Sequence, residues 1–128
     1  MIPDNFYSVL IRPSSEKFLF FGSRSYQSRE FVEYACDLVL EKHGRFVMVN
    51  GMCPTGADKF AYDWAIKKRI SIETYSADWV KYGKAAGPIR NKQMSYAGLT
   101  GAVMFGNGKG TRNMRGHLKD RNVPVWTL

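Results

Sequence analysis

Residues 17–51 read KFLFFGSRSYQSREFVEYACDLVLEKHGRFVMVNG, and that stretch decides the fold. Phe18-Leu19-Phe20-Phe21 is a short continuous apolar run ended by Gly22, as expected of a strand buried on both faces. Phe31, Val32, Ala35, Leu38 and Val39 then recur at i, i+1, i+4, i+7 and i+8, which is one face of a helix. Ser28 is the predicted cap, Glu30 suits the positive end of the helix dipole, and Gly44 closes the helix. Phe46-Val47-Met48-Val49 is a second buried strand. The unit is strand, helix, strand.

The alternation continues in both spacing and chemistry. Thr55-Gly56-Ala57-Asp58 has the spacing of a capping box, and Ala57, Phe60, Ala61, Trp64 and Ala65 form the apolar face of the helix it opens. A third strand is predicted from Ile70 to Tyr75, followed by a connection over 76–88 that holds Trp79 and Tyr82. Pro88 suits the first position of a helix running to about Ala97. Gly101-Ala102-Val103-Met104-Phe105 is strand four, a helix from Thr111 presents Met114 and Leu118, and Val123–Thr127 is the last strand. The pattern predicts an α/β chain: a three-layer, Rossmann-like fold with a mainly parallel sheet of about five strands and helices on both faces. Residues 17–128 are expected to form a single domain. Residues 1–16, with the apolar piece Ser8-Val9-Leu10-Ile11, are expected to be an N-terminal arm or an added edge strand.

Composition narrows the function classes. At 128 residues with 45% hydrophobic and 23% charged residues, the chain can build one core without a staple. Its apolar runs are far shorter than the ~20 residues needed to cross a bilayer, and its start lacks a basic leader, so a cytoplasmic location and no membrane partner are expected. Cys36 and Cys53 have no CxxC or Cys/His companions, so neither a metal site nor a disulfide is expected. The net charge of +8 favours an anionic partner.

In doubly wound sheets, ligands sit beyond the carboxyl ends of the strands, so the turns there carry the chemistry. Gly22, Ser23 and Arg24 follow strand one: glycine admits a close approach, serine donates, and arginine neutralises an anion. After strand two, Asn50 and Gly51 lead a small-residue loop to Asp58, which either completes the capping box or meets a ribose hydroxyl. Arg90 and Asn91 lie on the helix begun by Pro88, with Arg90 above an apolar stripe through Met94; a structural salt bridge is its alternative role. Gly106-Asn107-Gly108-Lys109-Gly110-Thr111 exposes a run of backbone N–H groups, with Thr111 as a cap. The spacing is neither Walker A nor a full GxGxxG, and no cofactor is implied.

GSR at 22–24, GxxxTGAD at 51–58, ADWxxYGKAAGPIRNKQM at 77–94 and GNGKGT at 106–111 occur in that order. Together they resemble the SLOG superfamily, which includes LOG-type nucleotide phosphoribohydrolases and DprA/Smf DNA-processing proteins; the resemblance is greatest to the YspA/YpsA-like branch. It implies a nucleotide-binding domain whose phosphate rests on the Gly22–Ser23 turn and on the glycine-rich loop before Thr111, and a homo-oligomer; Arg24, Gly108, Lys109, Gly110 and Thr111 are the ligand-binding candidates beside that turn and in that loop. Arg90 matches the arginine that works with a glutamate in LOG-type hydrolases, but Met114 stands at the glutamate position. Methionine cannot activate water or stabilise an oxocarbenium ion. The leading expectation is therefore binding of a nucleotide or nucleotide-derived signal, for sensing or sequestration. A nucleoside 5′-monophosphate N-glycosidase using Arg90 and Asp58 as candidate catalytic residues ranks second. Single-stranded DNA binding of the DprA kind ranks third.

Overall fold

A computed structural model describes residues 16–127; the expected arm or edge strand falls on residues 1–15 and lies outside them. Five strands, β1 (Lys17–Gly22), β2 (Val47–Asn50), β3 (Ser71–Thr74), β4 (Gly101–Phe105) and β5 (Val125–Thr127), form one sheet in the order β3-β2-β1-β4-β5. Every neighbouring pair is parallel. Helices α1 (Arg29–His43) and α2 (Gly56–Lys68) precede β3. The short α3 (Trp79–Tyr82), a 3-10 turn at Gly83–Ala85, α4 (Ala86–Ser95) and α5 (Lys109–Asp120) follow it.

Alternation along the strands divides the core between the two faces of the sheet. Phe18, Phe20, Met48, Val103 and Phe105 meet Val32, Ala35 and Cys36 of α1 and Ala57, Ala61 and Trp64 of α2. Leu19, Phe21, Val49, Ala102 and Met104 meet Met94 of α4 and Met114 and Leu118 of α5. Each large side chain so buried contributes roughly 1.5–3 kcal/mol. A run such as Phe18–Phe21 has no polar alternation because both of its faces are covered.

Several local expectations shift. Ser28 caps α1 as predicted, its Oγ accepting from Phe31 N at 3.2 Å, and Gly44 ends the helix at φ 72°. The buried stripe of α1 is rotated toward Cys36, leaving Phe31 and Leu38 exposed. Burial pushes the Cys36 thiol well above its ordinary range. The capping box at α2 does not form: Thr55 Oγ1 donates to the Arg24 carbonyl at 3.0 Å, and no side chain caps the helix. The fourth helix starts at Ala86, so Pro88 is its third residue, where its missing N–H still costs no helical bond. The last helix starts at Lys109 behind Gly108, which moves Thr111 from the cap into the first turn.

Gly22 closes β1 against β4. A Cβ there would run into the Phe105 carbonyl oxygen and come within 2.8 Å of Ala57 Cβ. Backbone oxygen cannot step aside as a flexible side chain can. Gly22→Ala is therefore expected to cost about 1–3 kcal/mol, read as a lower urea midpoint with an unchanged slope.

Candidate functional site

The strand order makes β1 the reversal point: the chain winds outward through β2 and β3, then returns to β4 on its other side. The crevice beyond the ends of β1 and β4 is where such sheets bind ligands. Here the turn after β1 and the glycine-rich loop after β4 meet on Ser23. Its N–H donates to Phe105 O at 3.0 Å, its carbonyl accepts from Ala57 N at 3.4 Å, and its Oγ accepts from Gly108 N at 3.1 Å. One hydroxyl thus joins the two turns while keeping its own proton to donate.

Above this junction lies a cleft of about 620 Å³, within the range of small-molecule sites. Its floor is Phe21, Met94 and Met114, and its rim carries Arg24, Lys84 and Lys109. The first turn of α5, from Lys109 to Thr111, lines one wall, and the amides of a first turn have no partner within the helix. Arg24, exposed at the rim, holds its guanidinium 5.4 Å from the Trp79 ring centroid.

Arg90 is 8% exposed. Its Nη1 donates to the Gly51 carbonyl and its Nε to Asn91 Oδ1 at 3.0 Å. It joins no ion pair among the described residues; its partners are a carbonyl and a carboxamide. Asp58, 6% exposed, receives Cys53 N–H at 3.4 Å on Oδ2. A Cβ at Gly51 would fall 3.1 Å from both Arg90 Nη1 and Asp58 Oδ2, so glycine is what lets the two charges flank one backbone position. Burial raises the Asp58 pKa to about 6, against the opposing pull of the Cys53 amide, Arg90 and the Gly22 amide. Burial likewise raises the Cys53 thiol, with the Asp58 charge adding to it.

Of the residues singled out in the sequence, Gly22, Ser23, Arg24, Asp58, Arg90, Asn91 and the 108–111 run all line this one cleft. Asn50 and Gly51 do not. Asn50 is fully buried beneath it, its Nδ2 donating to Asp58 O at 3.0 Å and its Oδ1 accepting from Met52 N at 2.8 Å. Gly51 presents its carbonyl to Arg90. Asn91 also braces as well as lines, donating through Nδ2 to Asn113 Oδ1 at 3.1 Å and to Gly110 O at 3.4 Å. Lys84 and Asn113 join the cleft as well: Lys84 lies inside the 77–94 motif, whereas nothing in the spacing marks Asn113. Among the described residues there is no His, Cys, Asp and Glu cluster suited to a metal ion, and no helix long and apolar enough to cross a membrane.

Residues 17–82 match the YspA, cpYpsA-related SLOG family. The chain belongs to that family. A relative, the Gene 61 protein of Mycobacterium phage D29, is 33% identical over 113 residues, covering 81% of this chain and 89% of its own. The structure of DNA processing protein A from Streptococcus pneumoniae superposes with a TM-score of 0.71 at 16% identity, over 88% of this chain and 50% of that one. This SLOG chain thus spans about half the length of that protein and shares its fold. The family match carries the Gly22–Arg24 and Gly51–Asp58 turns and ends before Arg90 and the glycine-rich loop.

A raised carboxyl pKa has a defined effect on stability. The folded state holds the Asp58 proton up to about pH 6, while the unfolded chain releases it near the ordinary 3.8. This group's contribution is fully present below the unfolded value and is lost as pH rises through about 6. Asp58→Asn is expected to flatten that part of the profile, measured as the urea midpoint from pH 3.5 to 7.5.

Proposed function

We propose that this SLOG domain, residues 17–128, binds a nucleotide or nucleotide-derived ligand in the β1/β4 cleft and serves to sense or sequester it. The observation that carries the reading is the junction at Ser23, which brings two anion-ready turns to one side of a cleft rimmed by three cations. A phosphate rests on the Ser23 hydroxyl and the Lys109–Thr111 amides, where fixed N–H dipoles replace its water without reorganisation. Arg24 and Lys109 neutralise it from the rim, and Arg90 does so from below. Asp58 accepts from a ribose hydroxyl, and the exposed ring of Trp79 offers a face to a base. The protein acts in the cytoplasm as a homo-oligomer on this reading.

LOG-type hydrolysis is not part of it, because the buried thioether of Met114 lies in the cleft floor where that chemistry needs a carboxylate. One observation favours a second reading. Asp58 lies in the cleft with a pKa near 6, which suits a general acid for cleaving an N-glycosidic bond.

Thermal stabilisation by mono-, di- and cyclic nucleotides, ADP-ribose and a short oligonucleotide tests both readings. A ligand at a hundredfold excess over Kd stabilises by about 2.7 kcal/mol. Arg24→Ala is the informative variant, because Arg24 is exposed, whereas removing Arg90 also strips the Gly51 carbonyl of its donor. It is expected to weaken nucleotide binding more than tenfold with no change in the ligand-free melting temperature. Undiminished affinity removes Arg24 from the site, and no stabilisation by any nucleotide overturns the proposal. Free base recovered from a monophosphate, and lost in Asp58→Asn, promotes the hydrolase.

A further inference from the structure

The net charge of this protein is confined to one part of it. Residues 16–78 carry nine lysines and arginines and nine acids, whereas residues 79–127 carry nine lysines and arginines against Asp120 alone. The whole of the +8 therefore lies in the stretch that begins with α3 at the cleft rim and builds the α4/α5 face of the sheet. The ion pairs among the described residues all fall elsewhere, on Lys17, Arg29, His43, Lys59 and Lys67. Every cation from 79 to 127 except Arg90 is exposed.

On α5 the charges form a row. Arg112, Arg115 and Lys119 recur at i, i+3 and i+7 beside the buried stripe of Thr111, Met114 and Leu118, and so run down an exposed flank of the helix. Gly116 lies in the same row with nothing near its would-be Cβ, leaving bare backbone between the cations. Glycine at an open helical position costs about 1 kcal/mol relative to alanine, so the helix is not optimised for its own stability there. Tyr96, 60% exposed at the end of α4, holds the Arg121 guanidinium 4.1 Å from its ring centroid.

We propose that the α4/α5 face is a docking surface for single-stranded nucleic acid, with the α5 row meeting successive phosphates. Cations without carboxylate partners release counterions when they meet a polyanion, which is the main source of affinity for a nucleic-acid backbone. Exposed aromatic rings among the cations, Tyr96 on this face and Tyr82 at the end of α3, offer faces to unpaired bases that a duplex does not present. An anionic bilayer fits less well, because the apolar side of α5 is buried against the sheet and has nothing to insert. This surface lies outside the cleft and does not depend on what the cleft binds.

The test is fluorescence anisotropy of a labelled oligo-dT 20-mer across a salt series, with three proteins. The triple variant Arg112→Glu, Arg115→Glu, Lys119→Glu removes the row. The control Lys42→Glu, Lys67→Glu, Lys68→Glu makes the same charge change outside residues 79–127. The row variant is expected to bind at least roughly tenfold more weakly and to lose about 2 from the slope of log K against log salt, at about 0.7 per phosphate contact. The control is expected to retain most of the affinity for the 20-mer and to keep any stabilisation by mononucleotides. Equal losses in the two variants overturn the proposal, since net charge alone then accounts for binding. So does wild-type protein that ignores the 20-mer, or that binds it less well than anionic vesicles. Mononucleotide binding that fails while the row effect persists sinks the cleft reading and leaves this one standing.

Discussion

The site depends on how closely three stretches of backbone approach one another at Ser23. Its main chain is tied to the end of β4 and to the start of α2, and its hydroxyl is tied to the loop that opens α5. Side chains would hold these segments apart. Gly22 lets β1 end against the Phe105 carbonyl, and Gly56, at φ 76°, lies so near the Ser23 carbonyl that a Cβ would collide with it. The glycines here are a packing requirement before they are a ligand requirement. The cleft is what remains open above a junction that the fold needs in any case.

The second constraint is the burial of two charges beside Gly51. Arg90 is held by a carbonyl and by Asn91 rather than by a carboxylate, so its charge is hydrogen-bonded but not neutralised. Asp58 lies close enough to feel it, yet burial still lifts the carboxyl to about 6. Asp58 offsets this buried cation only in part, because burial works against the carboxylate's own charge. An anion entering the cleft would supply the missing charge, which ties the stability of the empty site to the chemistry of its occupant.

The fold was legible in the sequence because its strands are covered on both faces. Continuous runs such as Phe18–Phe21 and Gly101–Phe105 cannot be half-exposed strands, and their alternation with helical patterns leaves a parallel sheet as the consistent answer. Helix starts were less legible. Thr55 has a capping residue's identity, but a tertiary partner, the Arg24 carbonyl, took its hydroxyl. Gly108 caps α5 without a side chain, and a sequence pattern seeks a hydroxyl or a carboxamide there. The site shows the same division. Residues on the strand-end turns were found from position alone, whereas the bracing roles of Asn50 and Asn91 depend on partners distant in sequence. The rotation of the α1 stripe toward Cys36 has the same origin, since cysteine reads as neutral by periodicity and is buried here in the cluster that holds Phe18 and Phe20.

The glycosidase and the binding module differ in this chain by what lies opposite Arg90. A hydrolase of this architecture needs a base or an acid aimed at the anomeric centre, and α5 supplies Met114 from its first turns. Asp58 approaches from the β2 side, with its Oδ2 already accepting the Cys53 amide and the Gly22 amide also drawn to the carboxylate. Those bonds stabilise the charged form and fix the carboxyl against its loop, which suits holding a hydroxyl better than moving a proton. Burial pulls the other way, toward a protonated acid near neutrality. Which tendency prevails depends on how much water a bound ligand displaces, because further desolvation lifts the carboxyl while a hydroxyl donating to it lowers it again. A ligand that covers Asp58 without donating to it would leave a neutral acid in the cleft, and that is the only state in which this carboxyl could protonate a leaving base.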